Sequence, residues 1–152
     1  MKIVSVISKS YPVRGGAQIA NLDLLRQLSD RFGHKCSIYT PFPLKKRARR
    51  GKVDVYTFRD ADELRAMAER ARPDIIITAL EAAGGALRTA KRFGIPAVVY
   101  MHSYEHCPPS PKERALWKVS KSRGYPSRRE IDFVLKGADA VAANSRHIKN
   151  RI

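Results

Sequence analysis

The sequence predicts an α/β domain: a parallel sheet with helices on both faces. Three observations lead there. Runs such as KIVSVIS (2–8), DIIITAL (74–80) and IPAVVYMH (95–102) are apolar on both sides of the chain, the pattern of strands buried on both faces. Stretches of helical length separate them, and strands joined through helices pair in parallel. The 152 residues suffice for one domain with its own core but not comfortably for two.

The elements follow in order. The first strand, 2–8, leads into a helix over 16–32, where Ala20, Leu24, Leu28 and Phe32 recur at i+4 with Leu22 and Leu25 beside them. Gly33 ends that helix. HKCSIYT (34–40) is the second strand, stopped by Pro41 and Pro43. A basic connector then leads to VDVYTF (53–58), a third, shorter strand. Asp60 with Glu63 forms a capping-box pattern that opens a helix to Arg72, and Pro73 precedes the strand 74–80. A helix over 82–93, Gly94 and the strand 95–102 come next. Ser127 with Glu130 repeats the capping-box pattern before a helix to Lys136, ADAVAAN (138–144) is the last strand, and Ser145 caps a helix that barely begins.

In such a sheet ligands bind beyond the carboxyl ends of the strands. The candidate site is therefore the set of residues just after each strand: 8–16, Thr40, 78–81, 102–105, and Asn144 with Ser145. The turn after the first strand holds Arg14, Gly15 and Gly16. Two residues without side chains let a phosphate or sugar approach the main chain, the helix start adds unpaired N–H donors, and Arg14 adds charge. The alternative is that the glycines only permit a sharp strand-to-helix turn. Two nucleotide motifs are excluded: the turn reads VRGGAQ rather than GxGxxG, no acid ends the second strand, and no GxxxxGK[ST] run occurs.

His102 ends a strand at the same rim, where an imidazole reaches a ligand lying across the crevice, or serves only as a structural histidine. His106 and Cys107 nearby form no recognisable metal-ligand spacing with it, so no metal site is assigned. Glu81 either faces the crevice or caps the following helix. Cys36 and Cys107 match no disulfide or zinc pattern, and no apolar run approaches the length of a membrane span. A reduced, cytoplasmic chain is expected.

Lysine and arginine number 30 against 14 acids, a net charge of +16, which points to an anionic partner. KKRARRGK (45–52) holds six bases in eight positions, including Lys45, Lys46, Arg47, Arg49 and Arg50. The segment 111–129 interleaves Leu116, Trp117, Val119 and Tyr125 with bases such as Lys118. Both fit an acceptor or an anionic membrane surface on the inner leaflet, with Trp117 at headgroup depth, or else solvated loops.

Taken together, the strand and GG turn entering the first helix, RPDIIIT, GIPAVVYMH ending in histidine, and GADAVAANS resemble the N-terminal domain of a GT-B glycosyltransferase of family four. The likeness runs over nearly the whole chain. It implies a Rossmann-like, acceptor-side domain, one half of a two-domain enzyme that retains anomeric configuration. A nucleotide sugar is then the donor substrate, with no cofactor or essential metal. The resemblance puts the main chain at Gly15 and Gly16 against the donor diphosphate and the acceptor, and His102 against the transferred sugar. The family's C-terminal donor domain, with its paired glutamates, has no counterpart here. The expectation is half an enzyme, inactive alone, completed by downstream sequence or by a separate partner chain. Two further readings stay open: a basic nucleic-acid-binding α/β module stacking bases on Tyr39, Tyr104, Trp117 and Tyr125, and a non-catalytic subunit anchoring a catalytic partner at a membrane.

Overall fold

The computed structural model describes residues 1–8, 16–41, 48–101 and 128–143. Seven strands form one sheet: β1 (Lys2–Val6), β2 (Lys35–Thr40), β3 (Ala48–Arg50), β4 (Val53–Thr57), β5 (Ile75–Ala79), β6 (Ala97–Met101) and β7 (Ala140–Ala143). Their spatial order is β3-β4-β2-β1-β5-β6-β7. Six strands are parallel, and β3 alone runs antiparallel, on β4 at the edge. Four described helices accompany them: α1 (Gly16–Phe32), α2 (Ala61–Ala71), α3 (Leu80–Phe93) and α4 (Arg128–Gly137). This is a Rossmann-like arrangement.

The sheet separates two cores. On one face Val4, Val6, Tyr39, Ile76, Val99 and Met101 pack under α2, α3 and α4, which supply Leu64, Ala83, Ala86, Leu87, Ala90, Ile131 and Val134. The alanines of α3 let that helix settle close to the strands. On the other face Ile3, Ile7, Cys36, Ile38, Val53, Val55 and Ile77 pack against Leu25 of α1, with Leu22 and Leu28 alongside.

Local chemistry explains the boundaries. The Asp60 carboxylate accepts from the N–H groups of Asp62 (3.0 Å) and Glu63 (2.8 Å), satisfying two donors at the start of α2. The expected capping box closes one residue early, because Glu63 Oε2 accepts from the N–H of Arg59 at 2.7 Å rather than from that of Asp60. Gly33 (φ 67°) and Gly94 (φ 63°) end α1 and α3 in the left-handed conformation that a residue without Cβ adopts at little cost. Asp74 and Asp139 accept from the first N–H of β1 (Lys2, 2.7 Å) and of β6 (Ala97, 2.8 Å), which ties the amino ends of those strands to neighbouring loops.

Three expectations need correction. The buried row of α1 is not Ala20, Leu24, Leu28 and Phe32: Ala20 and Leu24 are exposed, Phe32 is 66% exposed, and Asn21, Leu25 and Ser29 are buried instead. The cause is a buried polar pair. Asn21 Nδ2 donates to Ser5 Oγ at 2.9 Å and the Ser5 hydroxyl donates to Asn21 Oδ1 at 3.0 Å, so the helix turns its asparagine inward. The connector 45–52 is not all loop, since Arg49 and Arg50 lie in β3 and pair with Asp54 and Val53 of β4. Arginine on a three-residue edge strand discourages further strand pairing. Finally, Thr40 and Thr78, expected at the rim, are fully buried. Thr78 Oγ1 donates to the Val6 carbonyl at 2.9 Å, binding β5 to the end of β1.

Candidate functional site

The connections from β1 run outward one way, through β2 to β4, and those from β5 run the other way, through β6 to β7. The sheet therefore changes direction between β1 and β5, and a crevice opens there at the carboxyl edge. The register brings the strand ends level: Val6 lies opposite both Tyr39 and Thr78, Ala79 opposite Tyr100, and Met101 opposite Ala143. Neighbouring strands are about 4.8 Å apart, so the chain leaves β6 at Met101 roughly 10 Å from where it leaves β1.

Gly16 opens α1 at this edge. Its φ is not positive, and among the described residues a Cβ built on it meets nothing within 4 Å. Among the described residues nothing fills the space where a Cβ at Gly16 would stand, so the main chain there is open to close approach. The helix start leaves N–H donors unpaired and carries the positive end of the helix dipole, which suits an anionic group. No acidic side chain occupies the first turn of α1 to compete for those donors. The Ser5–Asn21 pair holds the helix over β1 one turn further on, fixing where its first turn points.

Of the other expected site residues, Arg14, Gly15, His102, Lys45, Lys46, Arg47, Trp117 and Lys118 lie outside the described residues, as do Tyr104, His106, Cys107, Asn144 and Ser145. Arg49 and Arg50 are in β3, at the far edge of the sheet from β7. The Glu81 main chain is in the first turn of α3. Among the described residues no group of three or more His, Cys, Asp or Glu could hold a metal ion, and no helix is long and apolar enough to cross a membrane. Burial pushes the Cys36 thiol above its ordinary pKa, which disfavours the reactive thiolate.

Sequence reasoning missed two features. One is the buried polar support beneath the rim (Ser5, Asn21, Thr40 and Thr78), signalled only by small polar residues inside apolar runs. The other is a groove of about 500 Å³ between α2 and the ends of β2 and β4, lined by Tyr39, Tyr56, Met67 and Arg70. Burial, with Tyr56 nearby, raises the Tyr39 phenol pKa, while Arg70 acts to lower it.

Comparison with known proteins agrees with this architecture. No curated protein matches the sequence. Among solved structures, apo UGT2 of Phytolacca americana is similar at TM-score 0.50 and 16% identity over 84% of this chain and 34% of that one. A short-chain dehydrogenase/reductase of Veillonella parvula, solved with NADP, reaches TM-score 0.57 at 14% identity over 93% of this chain and 67% of that one. L-threonine dehydrogenase of Clostridium difficile reaches 0.54 at 16% identity, over 93% and 53%. At such identities the likeness shows the fold alone, and the chain spans about a third of the length of the plant enzyme. The model of Glycosyltransferase Family 4 matches residues 14–152, from the glycine turn through the last strand. The chain belongs to that glycosyltransferase family.

Proposed function

We propose that this chain is the acceptor-side half of a retaining glycosyltransferase that moves a sugar from a nucleotide sugar to a sugar or membrane-lipid acceptor. The observation that carries the reading is the family match together with a rim glycine, Gly16, whose missing side chain the described packing does not require. Family membership also favours glycosyl transfer over the nucleic-acid module.

In this reading a donor-binding domain, in the same protein or in a partner chain, closes over the crevice between β1 and β5. Main-chain N–H groups at Gly15 and Gly16 and the start of α1 stabilise charge developing on the leaving diphosphate, and Arg14 adds to that field. They act without an essential metal, as the family resemblance implies. His102, which follows directly on the end of β6, hydrogen-bonds the transferred sugar and fixes its orientation. The acceptor hydroxyl enters from this domain. Lys45, Lys46, Arg47, Arg49 and Arg50, with Trp117 and Lys118, hold the enzyme at an anionic cytoplasmic membrane face, each base contributing about 1 kcal/mol.

The test is His102→Ala in the assembled two-domain enzyme, followed by nucleotide release from a panel of nucleotide sugars. Turnover falls at least about a hundredfold, an effect of the size expected when a positioning contact is lost, with the melting temperature unchanged. Turnover equal to wild type removes His102 from the site.

A further inference from the structure

Charge is matched differently from helix to helix. Among the described residues the ion pairs are Asp23–Arg26, Asp30–Lys52, Arg59–Glu63 and Asp62–Arg65, all on α1, α2 and the chain beside them. On α3 and α4 the exposed bases are Arg88, Lys91, Arg92, Arg129 and Lys136, and none has an acid partner among the described residues.

These five bases share one surface. In α3, Ala83, Ala86, Leu87 and Ala90 are buried against the sheet, which turns Arg88, Lys91 and Arg92 outward. The Arg88 guanidinium lies back along the helix, its terminal nitrogens 3.8 Å from where a Cβ on Gly84 would stand. In α4, Ile131 and Val134 are buried, while Arg129, Phe133 and Lys136 recur at i, i+4 and i+7 on the opposite side. Phe133 is 44% exposed. Each helix links neighbouring parallel strands, so the two lie side by side, and a Cβ on Gly137 of α4 would meet Leu87 of α3 at 3.6 Å.

The helix dipole accounts for Lys91, Arg92 and Lys136, which stand in last turns. It does not account for Arg88 in the middle of α3, and it opposes Arg129 in the first turn of α4. Against the five bases α4 carries Glu130 and Asp132, both already engaged, so positive charge prevails. The surface offers one exposed ring rather than the row of aromatic side chains that stacks a nucleic-acid strand. Bases around a single apolar side chain match a flat anionic layer with an apolar interior.

We infer that the outer face of α3 and α4 docks the protein on an anionic phospholipid bilayer, its five bases at the headgroup phosphates and Phe133 at the acyl boundary. The choice of a bilayer rests on the membrane-lipid acceptor of the proposed function. This surface is separate from the basic connector, which enters the sheet at the β3 edge, whereas α4 joins β6 to β7 at the other edge. Docking through it fixes an orientation. The sheet lies parallel to the membrane with one helix layer, roughly 10 Å thick, in between. The crevice at the carboxyl edge then opens sideways, toward an acceptor headgroup standing out of the leaflet.

The experiment is co-sedimentation of the whole chain with vesicles of mixed phosphatidylglycerol and phosphatidylcholine, with pure phosphatidylcholine as the neutral control, at low and at raised salt. The protein binds the mixed vesicles, binds less as salt rises, and binds phosphatidylcholine at least about tenfold more weakly. Arg88→Gln, Lys91→Gln and Arg92→Gln together lower the apparent affinity at least about thirtyfold. Phe133→Ser lowers it about three- to tenfold. Removing the same charge elsewhere, with Arg26→Gln, Arg31→Gln and Lys35→Gln, lowers it less than about threefold. Glutamine is a good helix former, and thermal unfolding checks that each variant keeps the fold. No binding to the mixed vesicles, equal binding to phosphatidylcholine, or equal losses in the two triple variants overturns the assignment. So does a single-stranded oligonucleotide that binds more tightly than the vesicles through the same α3 bases and Phe133. Because no turnover is measured, failure here leaves the transferase reading standing, and a failed His102→Ala test leaves this one standing.

Discussion

The two halves of the sheet differ on the face that carries α2, α3 and α4. Across β1, β5 and β6, Val6, Ile76, Val99 and Met101 are sealed under α3 and α4. Across β2 and β4 the cover by α2 is less complete among the described residues: Tyr39 is buried, but Tyr56, Met67 and Ala71 are only partly buried beside a groove of about 500 Å³. The cause is the type of connection. Parallel neighbours joined through a helix gain a cover for the sheet, as β5 and β6 do through α3. Between β2 and β4 the described chain supplies the antiparallel edge strand β3 instead, which lengthens the sheet without covering it. One half is fully desolvated on this face, and the other leaves a groove that water reaches among the described residues.

Substitutions sharpen this contrast, starting with the largest effect. Ile131→Ala in α4 empties a fully buried position of the sealed half and costs about 2–5 kcal/mol in urea unfolding. Met67→Ala, partly buried beside the groove under α2, costs about 1 kcal/mol, because water already reaches that wall. Equal costs would erase the distinction between the halves.

Asn21→Ala leaves the buried Ser5 hydroxyl without its partner and costs about 1–3 kcal/mol, and adding Ser5→Ala recovers part of the loss. Additive losses in that double variant would show that the pair does not hold α1. Asp60→Ala removes the cap of α2, the helix beside that groove, for about 1 kcal/mol.

The smallest effect is in pH. The Arg59 N–H bond, followed by the Arg59 side chain, holds the partly exposed Glu63 carboxyl below its ordinary value of 4.5. A depressed folded-state pKa adds stability above the unfolded value, and that stability is lost as pH falls through the folded one. Glu63→Gln should therefore flatten the acid limb of the stability profile below pH 4.5 and leave the neutral region nearly unchanged. An unchanged acid limb would mean that the Arg59 contact does not persist in solution.

Much of the fold is legible because buried parallel strands announce themselves. KIVSVIS, DIIITAL and IPAVVYMH each locate a strand to within two or three residues at either end, and helix α1 begins and ends at the expected positions. What sequence reading gets wrong is orientation. Ala20, Leu24 and Phe32 form a plausible apolar row, but α1 buries Asn21 because a polar partner, Ser5, waits on β1, and no periodicity reveals a partner 16 residues away. The strand β3 hides in a basic run because an edge strand buries too little to need apolar residues. At the site, the rim position of Gly16 follows from the strand–turn–helix pattern. That the described packing leaves room for a Cβ there is a property of the folded chain that no sequence pattern signals. The contact between Tyr39 and Tyr56 is invisible in sequence, since the two rings meet through strand pairing alone.

The central claim is that the rim of the sheet at the start of α1 is where the donor's negative charge is met. Gly16→Ala in the assembled enzyme tests it most directly, with thermal unfolding and nucleotide release from the same nucleotide-sugar panel measured side by side. Alanine fits the described packing and favours helix, so stability should hold or rise by up to about 1 kcal/mol. Turnover should fall at least about tenfold, as a methyl group intrudes where the phosphate approaches. A variant that is equally stable and fully active would contradict the claim.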